Sequence, residues 1–114
     1  MKKNIVREKS YAFALKIIRL SKELNEAKEF VFAKQLLKSG TSIGANVEEA
    51  IGGQSTKDFR AKLFVAYKEA RETHYWLRLL KDSEIISPES VEQLIYDIYE
   101  LKRILGAILV TLNK

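Results

Sequence analysis

The 114-residue chain contains no cysteine and only one histidine, His74. Without cysteine it has no disulfide bond, no cysteine-ligated zinc or iron–sulfur site and no thiol nucleophile. A di-metal helical bundle needs Glu-x-x-His pairs on two helices, and one histidine does not supply them. No Ser-His-acid pattern is present either. We therefore expect a protein that is not an enzyme, with no catalytic residues, no metal site and no cofactor.

Flexible connections and long apolar runs are also missing. One proline and five glycines leave no linker that would separate modules, so residues 1–114 are predicted to form a single domain. No apolar run approaches the ~20 residues that cross a bilayer. The basic start, Met1–Asn4, is not followed by the apolar segment of a signal peptide. We expect a cytoplasmic protein without a membrane partner.

The residues that are present favour helices. Hydrophobic residues make up 46% of the chain and charged residues 31%, which is typical of a globular protein. Apolar residues recur at spacings of three and four, the pattern of helices with one buried face. Ser10, Ser55 and Ser87 are predicted N-caps, and Gly52-Gly53 is a predicted left-handed C-terminal cap. The predicted helices span about residues 10–24, 29–52, 55–83 and 88–113.

The third predicted helix has the clearest pattern, with apolar or small residues at four-three spacing. They are Phe59, Leu63, Ala66, Ala70, Thr73, Leu77 and Leu80. Such a seam needs a partner helix to cover it. Four amphipathic helices with short connections and no alternating strand pattern predict an all-α fold, an antiparallel up-down-up-down four-helix bundle.

Two blocks of sequence carry a resemblance to a known family. Leu36–Ala50 reads LLKSGTSIGANVEEA and Lys68–Leu77 reads KEARETHYWL, with Phe59, Lys62 and Leu63 between them. These blocks closely resemble the 23S rRNA intervening-sequence protein family of small bacterial four-helix-bundle proteins. The first and last predicted helices match that family only in pattern.

The resemblance implies an assembly and a class of partner. Members of the family are encoded within ribosomal RNA genes or as free-standing genes. The family is related to the accessory variability determinants of diversity-generating retroelements, which form ring-shaped homopentamers with a basic surface for nucleic acid. The resemblance thus implies a homo-oligomeric ring, a pentamer, with a role that involves RNA or DNA, and it brings no catalytic residues.

A stripe of basic and aromatic residues follows the far side of the third predicted helix. At roughly 100° per residue one side carries Lys57, Arg60, Phe64, Lys68, Arg71, Tyr75 and Arg78. The acidic residues Asp58, Glu69 and Glu72 fall elsewhere on the helix. Basic side chains bind phosphates and rings stack on unpaired bases. The predicted nucleic-acid-binding residues are Lys57, Arg60, Lys68, Arg71, Arg78 and Tyr75.

The same surface has a second interpretation. Aromatic residues and arginine are also enriched at protein interfaces, where a neighbouring subunit rather than a base covers the rings. Trp76 falls beside Val65 and away from the seam, and Tyr96, Tyr99 and Arg103 form a smaller strip on the fourth helix. The predicted oligomer-interface residues are Phe64, Trp76, Tyr96 and Tyr99. An oligomer that creates the basic surface would satisfy both interpretations.

Two further groups of residues have structural interpretations. The segment Gly40–Gly44 lacks the Gly-Lys-Ser/Thr ending of a phosphate loop and follows no strand, so its glycines indicate close helix packing. Polar residues near the second and third helices are expected to form a structural hydrogen-bond network. These are Asn46, Glu49, Glu69, Arg71 and Glu72.

Overall fold

The computed structural model describes residues 4–113, which form four α-helices and no strand. The helices are α1 (Ile5–Glu26), α2 (Phe30–Ile51), α3 (Thr56–Ser83) and α4 (Glu89–Leu112). The all-α class with four helices is therefore confirmed. Each helix, within the described part of the chain, lacks the length of apolar sequence that a membrane crossing requires. The basic residues 2 and 3 lie outside the described residues.

The first helix begins five residues earlier than predicted. Asn4 is its N-cap, and the Asn4 side chain accepts a hydrogen bond of 3.0 Å from the backbone N–H of Arg7. Ser10, the predicted cap, lies inside the helix and is buried, with its hydroxyl donating to the Arg7 carbonyl. The apolar spacing continues backwards from Phe13 through Ser10 to Val6, so Ser10 is a small residue in the buried seam rather than a cap.

The helix connections use non-glycine residues in the left-handed region. Lys28, between α1 and α2, has φ 64°, and Glu84, after α3, has φ 58°. Gly52, predicted to be left-handed, has φ −82° and closes α2 through hydrogen bonds from its N–H to the carbonyls of Glu48 and Ala50. The predicted left-handed glycine cap is wrong, and α1 extends to Glu26, where the sequence predicted a turn.

The remaining helix starts fall close to their predicted positions. Ser55 caps α3, and its hydroxyl oxygen accepts from the N–H of Asp58 at 3.1 Å. For α4 the predicted cap at Ser87 is replaced by Pro88, whose helical backbone leads into Glu89. The Ser87 hydroxyl instead donates to the carboxylate of Glu89.

Each of the four helices contacts two others, so that the helices form a closed ring of neighbours around the core. Helix α1 packs on α2 and α4, and α3 packs on the same two helices. At the α1–α2 contact, Arg7 donates to Glu48 at 2.8 Å and the Ser21 hydroxyl donates to the Ala33 carbonyl at 3.0 Å. The resulting body measures 44 × 25 × 21 Å.

The core is a single cluster to which every helix contributes. Its largest fully buried side chains are Phe13, Ile17, Leu24, Leu36, Ile43, Leu63, Leu77, Leu80, Ile98, Leu101, Leu105 and Val47. Burying one such side chain contributes about 1.5–3 kcal/mol. Among the buried polar residues, Thr73 and Ser39 form a hydroxyl–hydroxyl hydrogen bond of 2.9 Å across the α2–α3 contact.

Glycines set the spacing between α1 and α2. A Cβ added to Gly40 would lie 2.8 Å from both γ-carbons of Ile17, and one added to Gly44 would lie 3.4 Å from the Ser10 carbonyl oxygen. Both glycines therefore face α1 and let its backbone and side chains approach closely.

Candidate nucleic-acid interface

Among the described residues, the side of the bundle formed by α3 and α4 has no ion pair between its two helices. The four pairs join α1 to α2, α1 to α4 and α2 to α3, and none joins α3 to α4. On α4, Asp97 pairs with Lys16 and Glu100 pairs with Lys9. Asp97 and Glu100 are thus turned toward α1, whereas Glu89 and Glu92 lie in the first turn of α4. The side of the bundle between α3 and α4 is left with basic residues.

One end of this side is a groove of about 540 Å³. It is lined by Lys57, Arg60, Ala61, Phe64, Tyr67, Gly106, Leu109, Val110 and Asn113. Arg60 spans the two helices, with Nη1 donating to Asn113 Oδ1 at 3.0 Å. Phe64 and Val110 are more than half exposed, so the groove combines an apolar floor with a basic rim.

The middle of the same side carries four basic or titratable residues, which we call the basic cluster: Arg71, His74 and Arg78 of α3 and Lys102 of α4. Lys102 Nζ lies 3.0 Å from His74 Nδ1. Partial burial, followed by the charges of Lys102 and Arg78, lowers the pKa of His74. Partial burial, followed by Arg71 and Arg78, also lowers the pKa of Lys102.

Other predicted binding residues are exposed, but not all lie in the groove. Lys68 is exposed on α3. Tyr75 is about half exposed and packs edge-on against Trp76, with ring centroids 5.5 Å apart. Of the predicted oligomer-interface residues, Tyr96 and Tyr99 are exposed on α4.

Trp76 is held within its own chain rather than standing clear of it. Its ring meets Phe32 of α2 edge to face at 5.8 Å, and its Nε1–H donates to Glu72 at 3.3 Å. It packs against the core cluster and is only partly exposed. Trp76 therefore lies outside the buried seam of α3 but packs at the edge of the core, and its role in an oligomer interface stays a prediction.

Comparison with known proteins identifies the family. The sequence model for the 23S rRNA-intervening sequence protein matches residues 2–107. The chain belongs to the 23S rRNA-intervening sequence protein family. It is also similar to a crystal structure of a protein of unknown function from the S23 ribosomal protein family of Bacteroides thetaiotaomicron. That similarity has a TM-score of 0.87 and 50% identity, over 91% of this chain and 97% of the other. No curated protein matches the chain.

The polar residues in the family-like segments have separate partners rather than one network. Asn46 donates to Ser42 within α2, and Glu49 pairs with Lys62 at 3.3 Å. Glu72 accepts from Trp76. The predicted shared network is therefore not what the structure shows among the described residues. No group of three or more histidine, aspartate or glutamate side chains in residues 4–113 is placed to hold a metal ion.

Glu69 is the least favourably placed of these carboxylates. Partial burial and the neighbouring Glu72 raise its pKa, against opposing effects of Lys38 and Lys68. A raised carboxyl pKa destabilises the folded state above that pKa, and the cost disappears below the ordinary glutamate range near pH 4.

We therefore expect Glu69→Gln to stabilise this family member near pH 7. The midpoint of thermal unfolding should rise by about 1–3 °C, a small effect because the side chain is partly solvated. The gain should disappear at about pH 3, where Glu69 is protonated in both the folded and the unfolded chain. Glu26→Gln, at an exposed site of α1, is the control for loss of one carboxylate. Equal gains in both variants would contradict the assignment to Glu69.

Sequence reasoning missed the α4 half of this interface. The sequence patterns give His74 neither a metal-binding nor a catalytic role, and they give no role to Lys102, Leu109 or Val110. Their importance depends on which residue of α4 lies opposite each residue of α3, for example Lys102 opposite His74. An antiparallel register could have been tested by pairing the basic positions of both helices, but helix periodicity alone does not set it.

Proposed function

We propose that this protein is a non-catalytic, oligomeric helical-bundle protein that associates with RNA or DNA through the side formed by α3 and α4. The observation that supports this most strongly is the distribution of charge. Asp97 and Glu100 of α4 pair with α1, whereas Arg71, Arg78 and Lys102 form no ion pair within residues 4–113. Nucleic acid is a partner that supplies regularly spaced negative charge to such a surface.

The groove beside the basic cluster favours single-stranded nucleic acid. Phe64 is exposed within it, and Lys57 and Arg60 lie at its rim. An unstacked base can pack on an aromatic ring while basic side chains contact the adjoining phosphates. Duplex nucleic acid keeps its bases stacked and would use only the basic residues.

We also propose that the bundle has up-down-up-down topology and assembles into a homo-oligomeric ring, a pentamer by resemblance to its relatives. The exposed rings of Phe64, Tyr96 and Tyr99 support self-association, because large apolar surface is enriched at subunit contacts. The absence of cysteine fits a reducing compartment, and we place the protein in the cytoplasm.

The decisive experiment measures binding of nuclease-treated protein to labelled single-stranded RNA, single-stranded DNA and duplex DNA at increasing salt. We expect single strands to bind more tightly than the duplex. Affinity should fall by about 10–100-fold between about 50 and 200 mM salt, because bound phosphates release counterions. Oligomer mass is measured in the same buffers, so that loss of binding is distinguished from dissociation of the assembly.

The groove also favours a second function, a protein-interaction scaffold with no nucleic-acid role. Its apolar floor, with Phe64 and Val110 exposed, is typical of a surface that a protein partner or another copy covers. An intact oligomer that binds no nucleic acid at low salt would reject the first proposal and favour this one.

A further inference from the structure

The contact between Lys102 and His74 determines the state of the histidine. A lysine ammonium has only donors, so His74 Nδ1 at 3.0 Å must accept and carry no proton. The hydrogen of neutral His74 is then on Nε2. Protonation of Nδ1 would place two positive groups in contact, which is consistent with the lowered pKa of His74.

The groups that surround His74 add positive charge. On its own helix, Arg71 and Arg78 lie one turn away on either side, and on α4 it meets Lys102. None of the charges that shift the pKa of His74 or Lys102 belongs to a carboxylate. Asp82 and Glu92 are eight and ten residues along their helices from His74 and Lys102, roughly 12–15 Å away. Closer to the arginines, Glu72 follows Arg71 and Asp82 lies one turn beyond Arg78 on α3. Neither forms an ion pair with the basic cluster among the described residues.

Resting on the nucleic-acid function proposed above, we propose that the basic cluster is a site for a phosphate group of the bound strand and that its occupation makes His74 take up a proton. Phosphate oxygens accept hydrogen bonds from the arginine side chains and from Lys102, which turns away from His74. The vacated Nδ1 binds a proton from solvent, and the charged imidazole then donates to the phosphate.

Proton uptake gives the site a defined pH dependence. In the free protein partial burial and then the neighbouring cations disfavour charged His74, whereas a bound phosphate favours it. Binding and protonation therefore strengthen each other. Affinity for nucleic acid should rise as pH falls from about 7.5 to about 5.5, on either side of the ordinary histidine pKa of about 6.5. A rise of one unit in the pKa on binding corresponds to a tenfold difference in affinity between the two protonation states.

The test uses the fact that His74 is the only histidine in the chain. In tag-free protein, NMR signals of its ring follow one titration, measured alone, with a short single-stranded RNA, and with inorganic pyrophosphate. We expect a pKa below 6.5 in the free protein and an increase of about one unit with RNA. Pyrophosphate should cause an increase in the same direction.

Variants separate a phosphate site from a general charge effect. Lys102→Gln should raise the pKa of His74 in free protein and reduce its further increase with RNA. His74→Gln should lose the tightening of RNA binding at lower pH, so its affinity relative to the unchanged protein should fall further at pH 5.5 than at pH 7.5. Lys22→Gln, which removes one charge from an exposed site of α1, should leave the His74 titration unchanged. Circular dichroism verifies that each variant is folded.

The outcomes distinguish this proposal from the function on which it rests. If RNA binds but the His74 titration does not move, the phosphate site is overturned and the general function stands. If RNA does not bind but pyrophosphate shifts the titration, the cluster is an oxyanion site and nucleic acid is not its ligand. If neither probe shifts the titration, the site is rejected.

Discussion

Gly40→Ala is expected to destabilise the protein by about 1–2 kcal/mol, although alanine is the better helix former. The new Cβ would lie 2.8 Å from Cγ1 and Cγ2 of Ile17, which is fully buried. Ile17 is branched at Cβ and has one favoured rotamer in a helix, so it cannot rotate away without strain. The two helices must separate instead, which loosens packing along the α1–α2 contact.

Gly106→Ala is the matched control. It is also a glycine inside a helix, but its added Cβ would meet only the edge of Tyr67 at 3.6 Å, an ordinary contact. Here the better helix propensity should dominate and stabilise the protein by about 0.5–1 kcal/mol. Denaturant unfolding of both variants measures the change in the free energy of unfolding. The denaturant midpoints are compared provided that the m-value is the same as in the unchanged protein.

A double variant tests the cause of the Gly40→Ala effect. Ile17→Ala removes both γ-carbons that the new Cβ would meet, at a cost of about 2–5 kcal/mol by itself. If overpacking is the cause, the combined Ile17→Ala and Gly40→Ala variant should be at least about 1 kcal/mol more stable than the sum of the single effects predicts. If the two single effects simply add, the close approach of the new Cβ to Ile17 is not the cause of the destabilisation by Gly40→Ala.

Charge reversal on α3 should nearly abolish nucleic-acid binding. We expect the combined change to Glu at Arg60, Lys68, Arg71 and Arg78 to lower affinity for single-stranded RNA by about 100-fold or more at low salt. Each of the four substitutions lowers the net charge by two, so it falls from +5 to −3. The new carboxylates also repel phosphates at the proposed contact points. All four positions are exposed, so the fold should survive.

The control makes the same change in net charge elsewhere. It places Glu at the exposed positions Arg19, Lys22, Lys28 and Lys34, which belong to α1, α2 and their connection. Affinity should fall by at most about tenfold, because long-range attraction is weakened but the proposed contacts remain. Filter binding or fluorescence anisotropy measures both variants, and oligomer mass is compared. Equal losses would reject α3 as the binding surface.

Sequence patterns succeeded where a local signal and the packing agreed. The seam of α3 runs through Leu63, Ala66 and Ala70, all of which are buried, and Ser55 caps the helix. At Ser10 the local signal misled, because serine is both a good cap and a small residue that fits a close helix contact. Its burial beside Gly44 decides between the two uses, and that requires the position of α2.

For the candidate interface, too, the sequence shows some features and the tertiary structure is needed for others. The basic stripe of α3 follows from spacing along one helix, and its residues are exposed as a solvent-facing stripe requires. Periodicity places Trp76 off the seam of α3, but it does not show that Phe32 of a neighbouring helix packs against the indole. The contact between His74 and Lys102 depends on the register of α3 against α4, which the spacing of residues along α3 does not show.

By itself, the sequence determined the four helices, the face that each buries, the basic stripe of α3 and the family. These depend on residues within a few turns of one another, or on the order of residues along the chain. The tertiary structure decided which helices are neighbours and in what register. It thereby turned Asp97 and Glu100 toward α1 and left the α3–α4 side basic. That outcome arises from contacts between residues distant in sequence, for which the periodicity of a single helix carries no information.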